Sequence, residues 1–178
     1  MSTAKTIEAL QKDLFSENEA LVRKALDKCR EIGNANMVKP LLTLYATSNQ
    51  STIRSEIAEM LGTLKVSNTD EHFIEFLKEQ QWAHLRADVV GFMWSSAIEP
   101  VDYLSFFTQL AIEGDDALAL EIVTLIESIE SSFPEDEIAE STVMLKEFLS
   151  EDKHTHSGKH KLLRELLSIV EGLQESFF

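Results

Sequence analysis

Apolar positions in this chain recur three and four residues apart, in stretches separated by short polar segments. That is the period of a helix with one face turned inward, and nowhere does the strict alternation of a half-buried strand appear. The pattern predicts helices over about 5–15, with Ile7, Leu10 and Leu14 inward, and about 18–32, with Leu21, Val22, Leu26 and Cys29 inward. It continues over about 36–47 (Val38, Leu41, Leu42, Leu44) and about 51–64 (Ile53, Ile57, Met60, Leu61, Leu64). The fifth and sixth helices cover about 71–80 (Phe73, Ile74, Phe76, Leu77) and about 83–96 (Leu85, Val89, Phe92, Met93). A seventh covers about 100–112, and an eighth starts at Asp115 or Asp116 and carries Leu118, Ile122, Val123, Leu125, Ile126 and Ile129. The last two cover about 134–150 and about 159–174, the latter with Leu162, Leu163, Leu166, Leu167, Val170 and Leu173.

Punctuation residues agree with these limits. Asn34 ends the second helix or opens the third, and Ser51 or Asn49 caps the fourth. Asp70 is the expected N-cap of the fifth. Pro40 falls in a first turn, and Pro100 and Pro134 open helices, where a missing N–H does no harm.

A second, longer period lies over the first. An apolar residue followed by Arg occurs at Val22-Arg23, Ile53-Arg54 and Leu85-Arg86, so the arginines are 31 and 32 residues apart. The next copy, Leu118-Ala119, keeps only the apolar half, and Leu163-Arg164 restores both. Aligned on that Arg, position −1 reads Val22, Ile53, Leu85, Leu118 and Leu163. Position +3 reads Leu26, Ile57, Val89, Ile122 and Leu167, and position +6 reads Cys29, Met60, Phe92, Leu125 and Val170. Such self-similarity predicts stacked helical hairpins that bury one continuous core. The repeats are about 4–33, 34–65, 66–97, 98–131 and 132–174, read as one domain over 1–178, with 151–158 a loop inside the last repeat.

Runs such as Val38-Lys39-Pro40-Leu41-Leu42, Ser51-Thr52-Ile53-Arg54 and Ala58-Glu59-Met60-Leu61-Gly62 resemble HEAT-type repeats. The short period is similar to the HEAT-like subclass of phycobilin-lyase subunits. The resemblance implies an all-α, right-handed solenoid of about five hairpins. It also implies that Arg23, Arg54, Arg86 and Arg164 tie neighbouring repeats together. The positions six before them, where the family often has an Asp, are Glu17, Ser48, Gln80 and Gly158.

Composition narrows the function. The chain has 178 residues, three Pro, six Gly and one cysteine, Cys29, so no disulfide forms within it and a reducing compartment is expected. Cys29 falls on an apolar helix face and reads as core. The first residues lack the apolar core of a secretory signal, and no run approaches a membrane span; the expectation is a soluble cytoplasmic protein. The net charge of −15 is concentrated: no Lys or Arg occurs from Ala87 to Leu145, a stretch with thirteen acidic residues. Such a flank repels phosphate and argues against DNA or RNA as a partner. HEAT-like DNA glycosylases have basic binding faces, the reverse of this chain.

The resemblance implies that the second helix of each hairpin lines a concave face. Positions +2 and +5 then place Glu56, Asp88 and Glu121 in an acidic column, beside Glu59 and Thr124, with Trp94 at its border. Charge there would steer a basic peptide or helix and the indole would anchor it. The expected function is a non-catalytic interaction module or scaffold for a basic protein, without cofactor. The alternative is an enzyme-assisting, lyase-type or chaperone-like subunit that handles a cofactor or client enzyme. A homo-oligomeric piece docking through Phe177, Phe178 or the aromatic-rich repeats is a third reading, against the two terminal rings forming a lid on the last repeat. His154, His156 and His160 have metal-like spacing but no thiol or fourth fixed ligand, and no metal site is assigned. No phosphate loop or nucleophile motif is present.

Overall fold

A computed structural model describes residues 3–150 and 158–175. Among the described residues there is no strand. The α-helices are α1 (Thr3–Leu14), α2 (Glu19–Ile32), α3 (Val38–Thr47), α4 (Ser51–Gly62) and α5 (Asp70–Lys78), followed by α6 (Arg86–Ser95), α7 (Leu104–Glu113), α8 (Asp116–Ser128), α9 (Glu135–Ser150) and α10 (Gly158–Glu175). No described helix is long and apolar enough to cross a membrane.

The helices start where local chemistry satisfies their first amides. Asn18 caps α2 by accepting from Ala20 N, and Asp115 caps α8 by accepting from Leu118 N. Two expected caps shift by one residue. Gln50 rather than Ser51 or Asn49 precedes α4, and Thr69 precedes α5, which places Asp70 and Glu71 inside the first turn, where their charge suits the helix dipole. Three predicted helices begin with tighter 3-10 turns at Ala35–Met37, Gln80–Leu85 and Val101–Tyr103. The second of these is kinked at Trp82 (φ −105°, ψ 15°), whose ring stacks on Phe76 at 6.1 Å between centroids. That contact holds the turn against α5 and delays the α-helix to Arg86.

The chain forms two compact units, Met1–Leu85 and Arg86–Phe178. In the N-terminal unit α1 packs on α2 and α3 on α4, while α1 also meets α3, α3 meets α5, and α2 meets α4. Odd helices therefore contact odd helices, and even contact even. The same rule orders the C-terminal unit: α6 meets α8, α8 meets α10, and α7 meets α9. The repeat register explains the core. All five residues at position −1 are buried, from Leu163 at 0 % to Val22 at 7 % exposed. Four further fully buried side chains, Leu26, Ile57, Val89 and Ile122, occupy position +3.

Some inward assignments fail. Leu21 is 41 % exposed, because the neighbouring Val22 takes the inward position and adjacent residues on a helix diverge by about 100°. Phe92 and Leu167 are only half-buried.

Candidate partner-binding face

Helix α6 buries Val89, Val90 and Met93 and leaves Asp88 and Trp94 at the surface. Asp88, Gly91 and Trp94 follow one another at three-residue intervals and so form an oblique row. Helix α8, packed against α6, buries Leu118, Ile122 and Leu125 and turns Glu121 back toward that row. The Trp94 indole Nε1 donates to Glu121 Oε2 at 2.7 Å. Trp94 is nonetheless 38 % exposed, so the bond orients the ring without hiding it. Gly91 lies beneath the pair. A Cβ there would lie 3.3 Å from Glu121 Oε2 and 3.9 Å from Trp94 Nε1, so the missing side chain makes room for the close approach.

Thr124 lies three residues beyond Glu121 on α8, and its hydroxyl donates to Leu120 O at 3.0 Å. Leu120 itself is 51 % exposed, which gives the α8 surface an apolar contact next to the carboxylate. Trp94 and Glu121 are thus joined directly, with Asp88 and Thr124 on the same two helices.

Glu56 and Glu59 belong to the N-terminal unit, on α4. The Glu56 carboxylate is not idle there. Arg23 Nη1 reaches it at 3.4 Å, while Arg23 also pairs with Glu19 at 2.8 Å and donates to Thr52 Oγ1 at 3.1 Å. Arg23 therefore ties α2 to α4. Arg54 instead lies over the Tyr45 ring, 4.6 Å from its centroid, on the neighbouring helix α3. Glu59 is exposed.

Several acids of the Lys/Arg-free stretch have structural tasks that the sequence pattern did not reveal. Glu99 accepts from Glu130 N at 2.7 Å and from the Ser131 hydroxyl. The Ser131 hydroxyl, and next the Glu130 N–H, hold the Glu99 carboxyl below the usual glutamate range. Glu137 accepts from Ser105 N at 2.7 Å and so serves the first turn of α7. Spacings of 31 to 32 residues in these bonds are the only hint the sequence offered.

The chain matches no protein family, no curated protein and no solved structure.

The remaining chemistry-bearing residues fall elsewhere. His160 is 1 % exposed in the first turn of α10, inside the helix expected over about 159–174; His154 and His156 lie outside the described residues. Phe177 and Phe178 also lie outside them. Cys29 is buried, and desolvation pushes its thiol up to about 11, so it stays protonated and unreactive at neutral pH. Next to His160, Lys159 Nζ donates to Ile112 O at 2.5 Å and Gly114 O at 2.7 Å, closing the C-terminal end of α7.

Proposed function

We propose that this protein is a non-catalytic interaction module of HEAT-like hairpins, stacked as a right-handed solenoid, that docks a basic partner. The observation that carries the reading is Trp94: a large aromatic ring left exposed on α6 and fixed by Glu121, in a stretch without Lys or Arg. A rigid, half-exposed indole loses little conformational freedom on binding and anchors interfaces well. Asp88 and Glu121 supply negative charge that steers a cationic segment toward the ring and disfavours acidic competitors. The exposed Leu120 offers the apolar contact that an amphipathic helix would cover. Glu56, on the other unit, is neutralised locally by Arg23.

The reading is tested with amphipathic helical peptides of matched apolar content and graded positive charge. Trp82→Phe leaves Trp94 as the sole indole reporter. Affinity is expected to rise with peptide charge and fall with salt, and Asp88→Lys/Glu121→Lys to lower it at least tenfold at unchanged helicity. Affinity independent of peptide charge would sink the proposal.

A further inference from the structure

The N-terminal unit contains a cavity of about 360 Å³ where the C-terminal ends of α2 and α4 meet the start of α3. Its wall is apolar: Cys29, Met37, Val38 and Met60 line it and are all buried. Its rim carries two exposed cations, Arg30 and Lys65. No carboxylate is among the described residues that line it, although the chain has 31 Asp and Glu against 16 Lys and Arg. In so acidic a protein, an opening edged only by positive charge selects for anions.

Two opposing effects must be weighed. The C-terminal ends of α2 and α4 each carry about half a negative charge, which disfavours an anion. At α2, however, the Gly33 N–H already takes up the Cys29 carbonyl at 3.1 Å. Two full side-chain charges at the rim outweigh what remains. The volume lies near the lower end of the roughly 300–1,000 Å³ range of small-molecule sites, which suits a compact ligand rather than a long lipid.

We propose that this cavity binds a small amphiphilic anion, with its apolar body against Met37, Val38 and Met60 and its carboxylate or sulfonate held by Arg30 and Lys65. The site is independent of the α6–α8 face. The protonated Cys29 thiol adds to the apolar wall.

The test uses the full chain, with anilinonaphthalene sulfonate as a fluorescent aromatic anion, octanoate as competitor and octanol as its uncharged counterpart. Saturable binding at one site per chain is expected, with displacement by octanoate. Arg30→Glu/Lys65→Glu is expected to weaken both anions at least tenfold and to leave octanol binding within twofold. Val66→Trp, at a half-exposed position on the wall, fills the cavity and is expected to abolish binding of all three at unchanged helicity and unfolding midpoint. Absence of saturable binding overturns the proposal. So does probe affinity that survives charge reversal, or that falls with charge reversal but survives Val66→Trp, which marks binding to the outer surface.

Discussion

Two helix ends in this protein adopt the same left-handed backbone with different residues, and that pair makes a controlled experiment. Gly33 ends α2 and Ala97 follows α6, each at φ 53°. At Ala97 the closing bonds are Ile98 N to Met93 O at 3.0 Å and Ala97 N to Trp94 O at 3.1 Å, the two bonds of a Schellman turn. Glycine is the usual residue there, because an L side chain in this region crowds the following carbonyl and costs about 1–2 kcal/mol. Replacing Ala97 with Gly removes that cost but frees the unfolded chain, which returns about 0.4–1 kcal/mol. The net expectation for Ala97→Gly is a stabilisation of about 0.5–1 kcal/mol. Gly33→Ala should do the reverse by a similar amount. Its new Cβ would meet Val66 Cγ2 at 3.7 Å, an ordinary contact, so the same balance of backbone strain and unfolded-chain freedom sets the effect, without a clash. In a chain of this length about 1 kcal/mol moves the thermal midpoint by roughly 2–4 °C. Urea unfolding of the two single variants and the double variant measures both signs, and the double variant should return close to wild type. A neutral or destabilising Ala97→Gly would refute the reasoning, since nothing but the backbone changes at that exposed position.

Other expectations follow from burial and charge. Thr108 Oγ1 and Ser141 Oγ are buried without a hydrogen-bond partner among the described residues, so Thr108→Val and Ser141→Ala should each stabilise by about 1 kcal/mol in urea unfolding. Phe107 is fully buried, and Phe107→Ala should cost about 3–5 kcal/mol by the same assay. Arg23 is 43 % exposed at its side chain, so Arg23→Ala should cost no more than about 1 kcal/mol, and the loss should shrink in high salt. Because the folded Glu99 carboxyl is held below its ordinary range, its contribution is present above the unfolded glutamate value of about 4.3 and disappears as pH falls through the lower folded value. The stability gap between wild type and Glu99→Gln, followed by denaturation from neutral to acid pH, should close in that window.

The helical period was legible because burial acts on one face at a time. Val22, Ile53, Leu85, Leu118 and Leu163, aligned only by the Arg that follows four of them, are all buried. Where two large apolar residues adjoin, as at Leu21-Val22, the period alone does not say which one turns inward. The 3-10 entry at Gln80–Leu85 was hidden for another reason. It depends on the Trp82 ring stacking on Phe76, a contact between elements that no local pattern encodes. The candidate face shows the same division. The register placed Glu121 and Trp94 near each other in pattern, but the bond between them passes close over the bare backbone of Gly91, which the sequence displays without explaining. Composition alone does not separate the acids of the Lys/Arg-free stretch by task. Glu99 and Glu137 spend their oxygens on backbone amides across 31 and 32 residues, whereas the Asp115 cap of α8 was legible from its place before the helix.

The alternation of helix contacts within each unit has a consequence for how the chain is made. Helices meet neighbours one or two places along the sequence, and side-chain ties such as Arg23 to Thr52 or Ser105 to Glu137 span 29 and 32 residues. Contacts this local close only short loops, which favours rapid folding. Within each unit, a helix leaving the ribosome finds its docking surface already presented by the helices one or two places before it. Assembly can therefore keep pace with translation, and the growing chain need not wait for its distant end before covering its apolar stripes.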